Sequence, residues 1–168
     1  MLGGMVSLNS CSGDTTNKSI PKGEKIKLAV IGTGSRGNLL LELLMTIPTT
    51  EIVAICDNYE PNLKLGINIT KGQAKTYSNH KEMIDKEKLD GVIVATPLYE
   101  HAHIVIDAFA AGLHVFCEKA MARTVDDCLA MVKASESAGK VFFLGHQRLF
   151  DPTYLIAMQM LKNNQIGK

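Results

Sequence analysis

Residues 27–37 read Lys27-Leu-Ala-Val-Ile-Gly-Thr-Gly-Ser-Arg-Gly37, an apolar run that breaks into Gly32-x-Gly34-x-x-Gly37 and passes into the helical pattern Asn38 to Met45. The unbroken apolar character up to Ile31 fits a strand buried on both faces, and the glycines after it fit a tight strand-to-helix turn. The chain turns at Gly32, bare backbone at Gly34 admits a pyrophosphate, and Gly37 lets helix pack on strand. The phosphates then meet the positive end of the helix. A glycine turn of this spacing also occurs as a plain connection, so its meaning depends on the next strand.

A second apolar run, Glu51-Ile-Val-Ala-Ile-Cys56, comes after the helix and ends at Asp57, twenty residues after Gly37. A carboxylate there accepts hydrogen bonds from an adenosine ribose and repels a 2′-phosphate, so the expected cofactor is NAD rather than NADP. Gly32, Thr33, Gly34, Ser35, Arg36, Gly37 and Asp57 are therefore cofactor-binding candidates. Arg36, on the first helical turn, either faces a phosphate or is solvated.

The 168 residues suffice for one well-buried domain and are short for two. With 18 basic against 17 acidic residues and no basic block, no nucleic-acid partner is expected. The apolar share is carried by Leu, Ile, Val, Ala and Met with no Trp, as suits parallel strands covered by helices. No stretch is long and apolar enough to cross a bilayer as a helix. The cysteines at 11, 56, 117 and 128 lack Cys-x-x-Cys spacing and histidine partners, so no metal site is expected. Cys56, Cys117 and Cys128 read as buried, inert thiols.

Residues 1–25 show no apolar periodicity beyond a short N-terminal run. Leu8-Asn-Ser-Cys11 resembles the cleavage box of a bacterial lipoprotein signal, although the basic n-region is missing and the apolar part is short. The two readings are a signal with a lipid anchor at Cys11, giving a cell-envelope location, and a disordered tail on a cytoplasmic protein.

Beyond Asp57 the pattern alternates. Helices are expected at Tyr59–Ile69, His80–Lys86, Tyr99–Ala111, after the capping pair Thr124 and Asp127, and after Asp151-Pro152; strands are expected at 75–78, 90–95, 113–117 and 141–144. In the helix after Thr124, Val125, Cys128, Leu129 and Val132 are the expected inward face. His80 is expected in solvent. Strand and helix in alternation imply an α/β fold, a doubly wound parallel sheet of the Rossmann dinucleotide-binding type. In such a sheet every strand's C-terminal end lies on one edge, where ligands bind. Thr96-Pro97 with His101, Glu118-Lys119 and His146-Gln147-Arg148 fall on that edge beside the glycine loop and Asp57. His101 is either a cleft residue near the cofactor or a helix-start histidine with a satisfied ring; Gln147 and Arg148 are candidates for cofactor or substrate contact.

These residues resemble the Gfo/Idh/MocA oxidoreductases, named for glucose-fructose oxidoreductase, inositol dehydrogenase and a rhizopine catabolism protein. The resemblance spans residues 26–168 and rests on Ala29-Val-Ile-Gly-Thr-Gly-Ser-Arg-Gly37, Ala95-Thr-Pro-Leu-Tyr-Glu-His101, Ala111-Gly-Leu-His-Val-Phe-Cys-Glu-Lys119 and Gln165-Ile-Gly167. It implies an NAD(P)-binding Rossmann domain at 26–150, with 151–168 beginning a linker helix to a second α/β domain, and a sugar, inositol or related polyol bound between the two. The family residue that matches Lys119 lies beside the nicotinamide and the substrate hydroxyl, and the region matching Thr96 to His101 lines the cofactor cleft. Glu118-Lys119-Ala120 replaces the family's usual Glu-Lys-Pro, which removes the proline's fixed backbone angle and keeps both side chains.

The family's second domain, with its catalytic aspartate and histidine, would come after Lys168, so the chain is expected to be a fragment, inactive alone and a homo-oligomer at full length. Hydride transfer between a sugar or polyol hydroxyl carbon and the nicotinamide is the implied reaction, with Lys119 as the catalytic residue. Two alternatives stand beside it: an NAD-dependent glycoside hydrolase acting by transient oxidation and elimination, and a non-catalytic NAD-binding module. An isolated domain is also expected to expose apolar surface around Phe143 to Leu149 and the final helix.

Overall fold

A computed structural model describes residues 23–167. Six strands form one sheet: β1 (Ile26–Ile31), β2 (Thr50–Cys56), β3 (Lys75–Tyr77), β4 (Gly91–Val94), β5 (His114–Glu118) and β6 (Phe142–Gly145). Their order is β3-β2-β1-β4-β5-β6 and every neighbouring pair is parallel. The helices are α1 (Ser35–Leu44), α2 (Glu60–Ile69), α3 (His80–Lys86), α4 (His101–Ala110), α5 (Val125–Ala138) and α6 (Pro152–Lys162). Single 3-10 turns at Leu98–Glu100 and Gln147–Phe150 lead into α4 and α6. The signal-like segment and Cys11 lie outside the described residues.

Burial explains why the central strands read as unbroken apolar runs. Val30, Ile55 and Ile93 pack with Leu41 on one side of the sheet, while Ile31, Val92, Val94 and Val115 pack with Ile104, Val105 and Phe109 on the other. Each such side chain, fully withdrawn from water, contributes about 1.5–3 kcal/mol. The chain starts at β1, steps outward to β2 and β3, then returns past β1 to β4. The reversal falls between β1 and β4, and a crevice opens there at the strands' C-terminal ends.

Two helix readings need correction. Val125, Leu129 and Val132 of α5 face outward, Val125 with 74% of its surface exposed, and the buried residue is Met131. Met131 sits in the core beside α4 and β5, and Ala134 and Ala138 pack against the same cluster, so the small side chains set the inward face. Repeats at both 125-129-132 and 131-134-138 satisfy helical spacing; close approach to α4 selects the second. His80, expected in solvent, is instead held at the start of α3, where its Nε2 lies 2.8 Å from Asp107 Oδ2 on α4.

Among the described residues, the far edge of the sheet at β6 presents exposed apolar surface. Phe116, Phe143 and Phe150 form a run of rings with neighbouring centroids 5.7 Å apart, Phe143 and Phe150 exposed, and no residue of α6 is buried. This is the apolar surface expected around Phe143 to Leu149.

Candidate functional site

The glycine loop has three different steric reasons for its three glycines. Gly32 adopts φ +89°, and a Cβ there would lie 2.7 Å from the backbone of Ala95 and Thr96, so β1 can run this close to β4 only with a glycine. At Gly37 a Cβ would stand 1.8 Å from the carbonyl oxygen of Gly32. Gly34 is the opposite case, since its Cβ would meet only Asn62 Nδ2, at 3.8 Å. Among the described residues, nothing else approaches that space.

Gly34 is also the N-cap of α1, with no side-chain cap and no acidic residue in the first turn. The first amides of a helix have no partner within it, and they carry the positive end of its dipole. Open backbone at Gly34 with uncapped amides beyond it fits the pyrophosphate of a dinucleotide.

Asp57 closes the loop from the side of β2. Its Oδ2 accepts the Thr33 amide at 2.8 Å and the Asn62 side-chain amide at 3.1 Å, and its Oδ1 accepts the Tyr59 amide at 2.9 Å. Thr33 is fully buried, and its carbonyl accepts Asn38 Nδ2 at 2.7 Å. The Thr33 hydroxyl also donates to Oδ2, at 3.4 Å, so Oδ2 positions the loop while Oδ1, with the Tyr59 amide alone, keeps a lone pair for a ribose hydroxyl.

A cleft of about 360 Å³ opens over these residues. Of the candidates read from sequence, Gly32, Gly34, Ser35, Arg36, Asp57, Thr96 and Pro97 line it. Thr33 and Gly37 lie beneath it as buried supports. Tyr99 and Glu100, within the stretch from Thr96 to His101 expected to line the cleft, are on its walls, and the residues not foreseen there are Asn58, Tyr59, Asn62, Ser78 and His80. Ser78 directly follows β3 and was findable by the strand-end rule; Asn62, inside α2, and His80 carried no spacing signal. Cys56 is on the floor, its thiol pushed up to about 12 by burial, with Asp57 and Glu82 adding to the rise. Burial raises the Asp107 carboxyl, but hydrogen bonds from His80 and Lys81 outweigh it and leave the group below its ordinary range.

His101 is not on the cleft wall. It is 1% exposed, with Nε2 3.0 Å from the Thr96 carbonyl and Nδ1 3.0 Å from the Ala120 carbonyl. The ring lies between the loop after β4 and the loop after β5, and its burial there sets it apart from the cofactor contact expected of it. Gln147 and Arg148 are also outside the cleft: both are exposed, and the Arg148 guanidinium lies over the Tyr154 ring, 5.8 Å from its centroid. The turn at Gln147–Phe150 that holds them packs with α6.

Glu118 ends β5 with its side chain only 5% exposed, and it pairs with Arg36: Nη2 is 2.6 Å and Nε 2.7 Å from Oε1. Arg36 is thus ion-paired through Nε and Nη2 while 37% of its side chain stays exposed at the cleft. Lys119 is next, exposed, donating its backbone amide to Glu118 Oε2 at 3.3 Å, with no ion pair to its ammonium among the described residues. It stands beyond the lined cleft, on the Glu118 side.

A parallel sheet that reverses its strand order beside an uncapped helix start, with a carboxylate at the end of the next strand, defines a dinucleotide-binding domain. The chain belongs to the Gfo/Idh/MocA oxidoreductase family with an NAD-binding Rossmann fold, whose sequence model matches residues 26–146. It is 32% identical over 157 residues to a glycosyl hydrolase family 109 protein of Stenotrophomonas maltophilia, covering 88% of this chain and 35% of that protein. It is likewise 32% identical over 145 residues to the inositol 2-dehydrogenase/D-chiro-inositol 3-dehydrogenase of Shouchella clausii, covering 85% and 42%. The crystal structure of myo-inositol 2-dehydrogenase from Lactobacillus plantarum superposes with a TM-score of 0.80 at 31% identity, over 86% of this chain and 43% of that one. The chain spans less than half the length of each of these proteins.

Proposed function

We propose that this chain supplies the cofactor half of an NAD-dependent oxidoreductase that moves a hydride between a sugar or polyol hydroxyl carbon and the nicotinamide. The observation that carries it is the uncapped start of α1 over the open backbone of Gly34, faced by Asp57. Bound NAD supplies the hydride acceptor. The α1 amides hold the phosphates, Asp57 accepts a ribose hydroxyl and repels a 2′-phosphate, and the loop at Thr96-Pro97 walls the cleft. Lys119, just past the end of β5 and without an ion pair among the described residues, holds or takes the proton of the substrate hydroxyl. The inositol dehydrogenase relatives support a polyol substrate.

A second reading rests on the hydrolase relative: the domain serves NAD in a transient oxidation that frees a glycosidic bond by elimination. The longer protein carrying this domain, given free inositols and hexoses, should reduce NAD in proportion to substrate. Turnover of a nitrophenyl glycoside without net NAD reduction would select the hydrolase. Binding of NAD with neither activity would leave a cofactor module. We further propose, on the box Leu8-Asn-Ser-Cys11, a cell-envelope location with a lipid anchor at Cys11 over a cytoplasmic protein with a plain tail, and, on the family resemblance, a homo-oligomer at full length; detergent-phase partition lost on Cys11→Ser, and mass by light scattering, test those parts.

A further inference from the structure

Arg36 is a cation on the helix turn that meets the cofactor, yet its charge is spent on Glu118, 82 positions away. The pairing is built. Glu118 is buried at the end of β5, and Arg36 reaches one of its oxygens with two nitrogens. The notch for that oxygen exists because residue 145, at the end of β6, has no side chain. A Cβ on Gly145 would lie 3.2 Å from Glu118 Oε1 and 3.0 Å from Phe116 Cζ.

The sheet order places this pair. Asp57 ends β2 on one side of the glycine loop, and Glu118 ends β5 on the other. A dinucleotide with its adenosine ribose at Asp57 and its phosphates on α1 directs its nicotinamide toward β4 and β5. Oxidised nicotinamide carries one positive charge that the reduced ring lacks. An uncompensated arginine there repels the oxidised form and leaves the reduced form bound.

We propose that Glu118, by neutralising Arg36, sets the balance of affinity between oxidised and reduced NAD in this cleft. Glu118 is a positioning and charge-balancing residue, distinct from a group that contacts the cofactor. The inference rests on the NAD-binding reading above and deepens it.

The test is titration of the full chain with NADH, monitored by fluorescence, and with NAD⁺ in competition, for wild type, Glu118→Gln and the double variant Arg36→Met/Glu118→Gln. Glutamine keeps the shape and an acceptor for Arg36 while removing the charge. Loss of Glu118's charge should raise the NAD⁺-to-NADH ratio of dissociation constants on the order of tenfold, as one unit charge does across several ångströms of partly wet protein. The double variant removes both charges and should return the ratio to the wild-type value. A purely structural role would weaken both forms equally in Glu118→Gln and would not be repaired by the second change; that outcome overturns the inference and leaves the cofactor reading intact. Wild-type chain that binds neither form overturns both.

Discussion

The amide of Thr33 donates to the carboxylate of Asp57 at 2.8 Å, joining the glycine loop to the end of the neighbouring strand. The same oxygen holds the side chain of Asn62, so one carboxylate fixes the loop and the start of α2 together. Asp57→Ala strips the acceptor from a buried amide and should cost about 1–3 kcal/mol of stability by urea denaturation. Asp57→Asn keeps an acceptor and removes the charge. It should cost less than the alanine and should shift binding toward NADP. Equal losses in the two variants would contradict the hydrogen-bond account; unchanged preference for NAD in the asparagine variant would contradict the repulsion of the 2′-phosphate.

Gly34 and Gly37 separate binding from folding. Alanine at 37 meets the Gly32 carbonyl at 1.8 Å and forces helix from strand, with an expected cost of about 3 kcal/mol or more. Alanine at 34 touches almost nothing and loses only cap preference, under about 1 kcal/mol, while its methyl fills the space proposed for the pyrophosphate. Thermal melts with and without NAD should therefore show Gly34→Ala folded with its NAD-dependent stabilisation reduced or gone. A full ligand shift in that variant would place the phosphates elsewhere.

Much of this was legible in the chain because parallel strands buried on both faces announce themselves as apolar runs, and Gly and Asp mark their ends. The glycine loop, Asp57 and Thr96-Pro97 fall on the cleft for that reason. The illegible parts depend on partners distant in sequence. The role of Arg36 is decided by Glu118, which arrives from β5, and that of His101 by the carbonyls of Thr96 and Ala120, which take its ring. On α5, two stripes obey one helical period, and only the neighbour α4 decides between Met131 and Leu129.

Thiol chemistry tests the core assignment. Burial, helped by neighbouring carboxylates, pushes Cys56 and Cys117 up to about 12, far above neutral pH, so neither should offer a thiolate. Cys128 on α5 is half-buried. With Cys11 replaced by Ser, three of the four cysteines remain. A disulfide reagent at neutral pH should label Cys128 readily and the other two only after denaturant is added. Rapid labelling of Cys56 in the folded chain would mean that the cleft floor is open to solvent.

The edge of the sheet at β3 carries a titrating cluster away from the cleft, where Glu87 accepts the Tyr77 hydroxyl and the Lys75 ammonium, the latter at 2.9 Å. The Tyr77 hydroxyl is the larger cause and Lys75 the next, and against the opposing effect of burial they hold the Glu87 carboxyl below its ordinary 4.5. The same contact pushes the Tyr77 phenol up to about 12. A lowered carboxyl contributes stability that is complete above 4.5 and disappears as pH falls through the folded value. A raised phenol contributes stability that is complete below 10 and disappears as pH climbs toward about 12. Urea midpoints across the acid and alkaline ranges should thus show Glu87→Gln with a shallower acid limb than wild type, and Tyr77→Phe with a shallower alkaline limb. Both variants should be less stable than wild type near neutral pH, where the intact cluster is fully formed, and parallel curves for all three proteins would show that the contact adds nothing to the fold.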